Sequence, residues 1–428
     1  MKLENVIDEN VIERQINSSS PSCRFCNTKL EHTFIDLGMS PLCQTQIKPD
    51  ELNKMEAFYP LHVYVCHECF LVQLEQFVAP DNIFSNEYPY FSSFSVSWVE
   101  HARQYVEMIS QKLELNTDSF VGEIASNDGY LLQHFVNNKI PCLGIEPAAN
   151  CAAEAEKKGV KSVTKFFGRD TAKEIAEEFG KVDLLLGNNV LAHVPDINDF
   201  VAGMKILLKE SGVITMEFPH LLSLIRQNQF DTIYHEHFSY LSLATVLRIF
   251  SFHGLSVFDV DVIPTHGGSI RIYACHNEDK NHHVSERISE LLAIEKAEGL
   301  DEIERYNQFE EKVKETKRKI LEFLIREKGN GKQIVGYGAP GKGNTLLNYC
   351  GIRQDFLDYT VDMSPHKYGT YTPGTRIPIY HPDMLKETKP DYIFILPWNL
   401  KKEITEQHSY VREWGGRFVI PIPEIEII

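Results

Sequence analysis

The chain lacks an excess of positive charge, a long apolar run and an apolar leader. Its formal net charge is −17 at pH 7, whereas nucleic-acid-binding proteins carry a basic face, so a nucleic-acid partner is excluded. A phosphorylated small molecule stays open, because one local basic pocket is enough to bind it. No stretch approaches the ~20 apolar residues that span a bilayer, and residues 1–20 are polar and acidic, unlike a signal peptide. We therefore expect no membrane partner.

The cysteine content agrees with a cytoplasmic location. The nine cysteines are an odd number, and without an export signal this indicates a reducing compartment rather than a disulfide framework. The 428 residues are too many for one hydrophobic core. An apolar fraction of 43% and a charged fraction of 24% are ordinary for globular protein, so two or three folded domains are expected.

Between residues 119 and 275, amphipathic stretches alternate with short apolar runs, which are Phe120–Ile124, Cys142–Ile145, Leu184–Leu186, Val213–Phe218, Leu255–Val262 and Ile270–Cys275. This alternation predicts a doubly wound α/β sheet, and the last two runs, Leu255–Val262 and Ile270–Cys275, predict an antiparallel closing hairpin. Residues 284–328 read as a charged helical connector packed along one apolar stripe. A second α/β pattern follows, with runs at Gln333–Val335, Phe356–Val361, Tyr392–Leu396 and Phe418–Ile420.

Two Cys-x-x-Cys pairs stand near the N-terminus. The four cysteines are Cys23, Cys26, Cys66 and Cys69. Each pair lets one short turn aim two thiolates at a common centre, and two such turns complete the closed tetrahedral site typical of structural zinc. A redox pair and an iron–sulfur cluster are the alternatives; the presence of two pairs disfavours the redox one.

The first strand of the α/β pattern, Phe120–Ile124, leads into a turn that is acidic and has no lysine. Such a turn lies where an open α/β sheet binds its ligand, and its charge suits a cationic sulfonium amino acid better than a pyrophosphate. A nicotinamide enzyme would prefer Gly-x-Gly-x-x-Gly here. Glu146 ends the second strand, about 20 residues on, where a carboxylate accepts the ribose hydroxyls. The candidate residues for binding this sulfonium ligand are Glu123, Ala125, Asn127, Asp128, Gly129, Glu146, Asn188 and Asn189.

Tyr234-His235-Glu236-His237 concentrates two imidazoles, a carboxylate and a phenol in four positions. Groups of this kind perform general acid–base chemistry. A polar surface turn or a capped helix start is the alternative interpretation.

The C-terminal half contains a Gly-x-Gly-x-x-Gly motif from Gly336 to Gly341, directly after an apolar strand. Three interpretations are open: a dinucleotide site, a diphosphate site at a helix N-terminus that includes Lys342 and Asn344, or glycines that only permit close helix–strand packing.

An ordered set of motifs runs from Cys23 to the C-terminus and resembles the sugar C-methyltransferases that act on nucleotide-linked 4-keto-deoxysugars. The motifs are the two cysteine pairs, Glu-Ile-Ala-Ser-Asn-Asp-Gly, Asn-Val-Leu-Ala-His-Val, Glu-Phe-Pro, Tyr-His-Glu-His-Phe, His-Gly-Gly-Ser-Ile-Arg and Gly-Tyr-Gly-Ala-Pro-Gly-Lys-Gly-Asn-Thr. The resemblance implies an α/β protein with a small zinc-binding domain, a central class I S-adenosylmethionine (SAM) methyltransferase domain and a C-terminal Rossmann-like domain. The corresponding boundaries are a disordered leader at 1–20, then 21–80, 81–280, a helical connector at 281–330, and 331–428.

The resemblance also implies a mechanism. A base removes the C3 proton of a nucleotide-diphospho-4-keto-6-deoxysugar, and the enolate takes a methyl group from SAM. His237 is the expected base, Tyr234 and His193 are expected to stabilise the oxyanion, and Glu236 to orient His237 or a sugar hydroxyl. Without the resemblance, His193 would read as a core histidine.

The remaining sites implied by the resemblance face the sugar nucleotide. They are a tyrosine over the active site, Tyr88 or Tyr90 with a slight preference for Tyr88, and a substrate surface formed by His266, Gly267, Lys342 and Asn344. The rival functions are O- or N-methylation of a sugar, an NAD-dependent oxidoreductase that uses Gly336–Gly341, and a non-catalytic binding protein organised by zinc.

Overall fold

The computed structural model describes residues 21–79, 83 and 91–428. The predicted leader at 1–20, as well as Tyr88 and Tyr90, lies outside the described residues. The strands are β1 His32–Ser40, β2 Tyr59–Val65, β3 Val72–Leu74, β4 Val121–Ile124, β5 Cys142–Ile145, β6 Ser162–Val163, β7 Val182–Asn188, β8 Leu208–Pro219, β9 Ser239–Tyr240, β10 Leu255–Ile263, β11 Ser269–His276, β12 Ile334–Tyr337, β13 Thr360–Val361, β14 Ile379–Tyr380, β15 Tyr392–Ile395, β16 Arg417–Ile420 and β17 Glu426–Ile427.

The helices within the same residues are α1 Val96–Lys112, α2 Leu132–Asn137, α3 Ala149–Lys157, α4 Arg169–Glu178, α5 Ile197–Leu207, α6 Leu221–Arg226, α7 Leu243–Phe252, α8 Glu286–Ala297, α9 Ile303–Asn307, α10 Phe309–Gly329, α11 Gly341–Cys350, α12 Met384–Thr388 and α13 Lys401–Gln407. Every one of these helices is too short or too polar to cross a membrane.

The N-terminal sheet is antiparallel and has the order β1-β2-β3-β9. Its first three strands belong to the cysteine-rich segment, and buried positions alternate with more exposed ones along β2, as expected for a sheet with one face on a core. Its fourth strand, β9, comes from the middle of the chain and pairs Tyr240 with Val72 and Ser239 with Gln73. The segment that follows Tyr234–His237 is therefore part of the N-terminal sheet.

The central sheet has the order β10-β11-β8-β7-β4-β5-β6. Strands β4 to β8 run parallel, and β11 is antiparallel to both β8 and β10, so the predicted closing hairpin is confirmed. β4 is buried at every position, because helices cover both faces of a parallel sheet. The carboxyl ends of β4, β5, β7 and β8 meet at one edge.

The C-terminal sheet has the order β14-β13-β12-β15-β16-β17 and is parallel except for β17. The strand predicted over Phe356–Val361 is too long, because the amides of Phe356 and Leu357 donate to the carbonyl of Arg353 in a turn. Only Thr360–Val361 is extended. Two strands of two residues each, β14 and β17, escaped the prediction because such short runs carry no periodicity.

The connector consists of α8, α9 and α10. Its apolar stripe is buried as expected, including Ile288, Val313 and Ile320. The stripe belongs to a shared core, since the ring of Phe309 stacks on Phe34 of β1 with centroids 4.6 Å apart. The connector therefore joins the N-terminal sheet to the C-terminal domain by packing as well as by sequence.

Candidate active site

The turn after β4 has an irregular backbone. Ala125, Asn127 and Gly129 all have positive φ, at 55°, 49° and 73°, which L-residues adopt at a cost. Gly129 tolerates this conformation, and a Cβ there would also lie 3.0 Å from the Cβ of Ala155. The turn thus brings its backbone close to α3 and presents the side chain of Asp128 at the carboxyl edge of the sheet.

Three carboxylates are buried at this turn, namely Glu123, Asp128 and Glu146. Burial raises the pKa of Glu123 well above its usual range, and the neighbouring Glu146 and Asp128 raise it further. Glu123 Oε2 and Asp128 Oδ1 have no hydrogen-bond partner in the described part of the chain. These two unpartnered oxygens can accept hydrogen bonds from the ammonium and hydroxyl groups of SAM, so the residues present fit this cofactor.

Glu146 has a structural role in the described residues. Its Oε2 accepts a hydrogen bond from the amide of Asn127 (2.9 Å), and its Oε1 accepts one from the amide of Ala148 (2.8 Å). The carboxylate therefore ties the turn after β4 to the turn after β5. Its predicted contact with ribose stays a prediction.

Asn188 is the last residue of β7, and Asn189 follows it at the same edge of the sheet. The Nδ2 of Asn188 and the Oδ1 of Asn189 are buried without a hydrogen-bond partner among the described residues. The Nδ2 of Asn189 lies 2.6 Å from the Nε2 of His266. Asn189, which is predicted to bind SAM, is therefore in direct contact with His266, which is predicted to bind the substrate.

The Tyr234–His237 turn is anchored to both the central domain and the N-terminal sheet. The amide of Phe238 donates to the carbonyl of Ala192 in the central domain (2.8 Å), and the carbonyl of Phe238 accepts from the amide of Leu74 in the N-terminal sheet (3.0 Å). The Nδ1 of His237 donates to the carbonyl oxygen of Thr232 at 2.7 Å. Since a carbonyl cannot donate, the neutral ring has its free lone pair on Nε2.

Two further predicted catalytic side chains surround His237. The ring centroids of Tyr234 and His237 are 4.0 Å apart, and those of His193 and His237 are 4.6 Å apart. Burial lowers the pKa of His237 well below its usual range, and the neighbouring His193 lowers it further. Burial also lowers the pKa of His193 to about 4. At neutral pH both rings are uncharged, as a general base requires.

His235 and Glu236 point toward the N-terminal segment. The Nε2 of His235 lies 3.1 Å from the carbonyl oxygen of Pro60, and its ring contacts Tyr59 edge-on. The Sγ of Cys43 lies 3.7 Å from Oε1 of Glu236. His235 thus docks on the N-terminal sheet, and the orienting role of Glu236 toward His237 stays a prediction.

The C-terminal domain contributes a lysine to the space between it and the central domain. This space, which His237 and His266 of the central domain share with Lys342, is called the cleft below. Lys342, at the start of α11, donates to Oδ1 of Asn399 (2.8 Å), and its Nζ lies 4.7 Å from the centroid of the Trp398 ring. Burial lowers the pKa of Lys342, and the charge of Lys342 lowers the pKa of both His237 and His266. The ammonium group of Lys342 is therefore close enough to both histidines to disfavour their protonation.

Asp231 is a buried carboxylate near Lys342. Its Oδ2 accepts from the indole of Trp398 (2.7 Å), and burial raises its pKa to about 6. Asn344 is also buried, and its Nδ2 donates to the carbonyl of Cys43 (2.7 Å). Its Oδ1 has no hydrogen-bond partner in the described residues.

The Gly336–Gly341 motif serves close packing. A Cβ on Gly338 would lie 2.6 Å from the ring of Pro397, and one on Gly341 would lie 2.9 Å from the Sγ of Cys43. Asp362, which follows β13, accepts from the amide of Ala339 (2.7 Å). These contacts show that the glycines permit close packing. A diphosphate site that includes Lys342 and Asn344 stays a prediction.

Gly267 and Gly268 also sit in confined positions. Gly267 has φ 90°, and a Cβ there would lie 2.7 Å from both Gln229 and Trp398. The loop that carries His266 is therefore pressed against the C-terminal domain. This places the predicted substrate residues His266 and Gly267 on the same cleft as Lys342.

The four N-terminal cysteines converge. All four Sγ atoms lie within 4.8 Å of one another, and the Cys23–Cys69 and Cys26–Cys66 pairs are each 3.6 Å apart. Both turns have the same backbone: Asn27 and Phe70 have positive φ, and their amides donate to the carbonyls of Cys23 and Cys66. The thiolate set and its spacing fit tetrahedral zinc.

Sequence reasoning missed a buried polar network around Glu217 on β8. His101 of α1 lies 2.9 Å from Oε2 of Glu217, Arg271 of β11 lies 2.5 Å from the same atom, and Thr265 donates to Oε1 at 2.9 Å. Burial opposes ionisation, but the hydrogen bond from His101 and the charge of Arg271 lower the pKa of Glu217 to about 2. The one available signal was a glutamate inside the apolar run Val213–Phe218.

Comparison with known proteins identifies the parts. Residues 23–84 match a zinc binding domain, residues 100–260 match a methyltransferase domain, and residues 264–423 match the C-methyltransferase C-terminal domain. The chain is 35% identical over 406 residues to the C-methyltransferase NovU of Streptomyces niveus, covering 95% of this chain and 96% of that protein.

Two solved structures that are similar to this chain each overlap less than half of it. The magnesium protoporphyrin IX methyltransferase of Synechocystis PCC 6803 with bound SAH covers 42% of this chain and 84% of its own, with 16% identity and a TM-score of 0.33. A SAM-dependent methyltransferase from Clostridium acetobutylicum covers 42% and 92%, with 11% identity and a TM-score of 0.34.

The protein is a SAM-dependent methyltransferase with an N-terminal zinc-binding domain. Its four-cysteine cluster and its acidic turn after β4 fit zinc and SAM respectively. More narrowly, the chain belongs to the sugar C-methyltransferase family.

Proposed function

We propose that the enzyme methylates C3 of a nucleotide-diphospho-4-keto-6-deoxysugar and that His237 is the base. The observation that carries the proposal is the 2.7 Å hydrogen bond from Nδ1 of His237 to Thr232, which leaves Nε2 as the lone-pair nitrogen. The C4 ketone acidifies the C3 proton, and His237 Nε2 accepts that proton as the enolate forms. SAM, when bound, supplies the methyl group as an electrophilic sulfonium.

Tyr234 and His193 flank the base and are suited to stabilise the enolate oxygen. Their rings lie 4.0 and 4.6 Å from that of His237. Removing one such donor typically costs ~10²–10³ in rate. His193 is hydrogen-bonded to the backbone of Glu236, which fixes its ring relative to the base.

Lys342 and Asn344 are suited to the nucleotide diphosphate. Lys342 contributes a buried ammonium group to the cleft, and such a group pairs well with phosphate oxygens. His266 and Gly267 lie opposite on the central domain. Tyr88 or Tyr90, outside the described residues, is proposed to cover the sugar.

Deuterium exchange tests the carbon acid directly. The enzyme is incubated in D₂O with nucleotide 4-keto-6-deoxysugars and without SAM, and the label at C3 is followed by NMR. We expect exchange with wild type and a loss of ~10²–10⁴-fold with His237→Ala, the usual contribution of a general base. His235→Gln is the matched control, because the Nε2 of His235 contacts the carbonyl oxygen of Pro60 in the N-terminal sheet.

Mass spectrometry with SAM completes the test. A carbon-bound methyl group on one sugar of the panel, lost in His237→Ala, supports the proposal and names the substrate. Methylation of oxygen or nitrogen without C3 exchange would replace it with the alternative, O- or N-methylation of a sugar. Full exchange by folded His237→Ala would remove His237 from the role of base.

A further inference from the structure

A second group of metal-ligand side chains lies at the far end of β11. Cys275 pairs with Ser256 across the β10–β11 hairpin, whereas Ser269, at the opposite end of β11, pairs with Pro219 beside the cleft. The six residue steps from Ser269 to Cys275 span ~20 Å of extended strand. This group therefore lies away from the cleft, and it is separate from the group of four N-terminal cysteines that the family comparison covers.

Three different donor atoms converge there. The Sγ of Cys275, a carboxylate oxygen of Asp279 and a ring nitrogen of His282 all lie within 4.8 Å of one another. The Oδ1 of Asp279 is 3.4 Å from Nδ1 of His282. The carboxyl group of Asp279 and the ring of His282 are thus close enough together to bind one ion, since two ligand atoms of a tetrahedral zinc ion are ~3.4 Å apart.

The carboxylate of Asp279 is buried and only partly satisfied. Its side chain is 1% exposed, and its Oδ2 has no hydrogen-bond partner in the described part of the chain. Leaving a buried carboxylate oxygen without a partner is costly. A cation bound between Asp279, Cys275 and His282 would provide that partner.

The loop holds these ligands in place without the ion. The amides of Asn281 and His282 donate to Oδ1 of Asp279, at 2.6 and 3.3 Å. The ring of Phe258 on β10 stacks on His282 with centroids 4.4 Å apart. Contacts of this kind orient ligands around bound metals.

We propose that Cys275, Asp279 and His282 bind a second zinc-type divalent cation, which fastens the loop after β11 to the edge of the central sheet. A thiolate, an imidazole and a carboxylate are a zinc-type ligand set rather than a calcium or magnesium set. Water completes the tetrahedron on the exposed side of His282, whose side chain is 24% exposed. The site is structural, because it is remote from the cleft.

Metal counting tests the proposal on the full chain. Protein dialysed against micromolar Zn²⁺ and then against buffer is analysed by inductively coupled plasma mass spectrometry. We expect two zinc ions per wild-type chain, and one in Cys275→Ser, Asp279→Asn and His282→Ala. His283→Ala is the matched control: it removes the adjacent exposed histidine, which is not in the group, and should keep two.

Cobalt substitution provides the second measurement. Binding of the second Co²⁺ equivalent should be lost in Asp279→Asn, a variant of unchanged shape, while the strong thiolate-to-cobalt absorption of the four-cysteine site remains. One metal ion per wild-type chain at saturating Zn²⁺ overturns the proposal. So do two ions in Asp279→Asn and His282→Ala, and so does a loss in His283→Ala equal to that in His282→Ala.

Discussion

Glu217 and Arg271 are direct partners across the antiparallel strands β8 and β11, and their side chains form a buried ion pair with Oε2 and Nη2 2.5 Å apart. The side chain of Glu217 is fully buried and that of Arg271 is 5% exposed. Because His101 of α1 also contacts Glu217, the pair links three elements at the edge of the sheet that bears the active site.

Breaking this pair should be strongly destabilising. Glu217→Gln leaves Arg271 charged, buried and unpaired, which typically costs ~3–5 kcal/mol in the free energy of unfolding. We expect Arg271→Met to cost a similar amount and the double variant to cost less than the sum, as measured by urea denaturation in a double-mutant cycle.

Lys205 and Glu278 supply a comparison pair, since they form an ion pair 3.4 Å apart with Glu278 largely exposed. The same cycle there should give a coupling energy of ~0–1 kcal/mol. Equal coupling energies at the two pairs would contradict the expectation that burial makes the Glu217–Arg271 pair the stronger one.

The buried histidines predict a loss of stability in acid. Burial lowers the pKa of His193 and of His266 to about 4, below the ordinary value of ~6.5. The unfolded chain therefore binds more protons between these values. The contribution of each ring is complete above pH ~6.5 and is lost as the pH falls to about 4; we expect ~1–3 kcal/mol from each.

The measurement compares wild type with His193→Asn in denaturant titrations at pH 7.5, 5.5 and 4.5. A comparison of variants is needed because Glu123 and Glu146, whose pKa burial raises, change stability with pH in the opposite sense. The slope of the free energy of unfolding against pH should be shallower in the variant. Parallel slopes would show that His193 titrates normally.

Replacing Lys342 should weaken sugar-nucleotide binding selectively. Lys342→Gln removes the buried charge in the cleft, and a lost hydrogen bond to a charged group costs ~1.5–3 kcal/mol, or roughly 10–150-fold in KM. The Kd for SAM should not change, because the acidic turn after β4 belongs to a different sheet.

Lys386→Gln is the control for Lys342→Gln, since Lys386 is exposed and pairs with Asp383. Steady-state kinetics with the sugar nucleotide and calorimetry with SAM separate the two affinities. An equal fall in both would mean that Lys342 supports the fold rather than the substrate.

Structural features that depend only on neighbouring residues could be predicted from the sequence. The strand at Cys142–Ile145 has the expected bounds, because a strand buried on both faces is a continuous apolar run. The four cysteines could be grouped because Cys-x-x-Cys turns have fixed geometry.

Features that depend on distant parts of the chain were not predictable. His101 and Glu217 are 116 residues apart, and neither residue type by itself indicates a partner. Cys43 lies against Gly341, so the chemistry of a Gly-x-Gly-x-x-Gly motif depends on a loop almost 300 residues earlier. Hydrophobic periodicity reports which face of an element is buried and leaves unspecified what covers it.

The pairing of Ser239–Tyr240 with β3 has a consequence for building chimeras. A hybrid enzyme that receives residues 21–79 from a relative inherits a foreign partner for β9, and β9 begins two residues after His237. A register error there would move the base as well as the strand. Donor and recipient should therefore be joined so that residues 21–79 and 234–240 travel together.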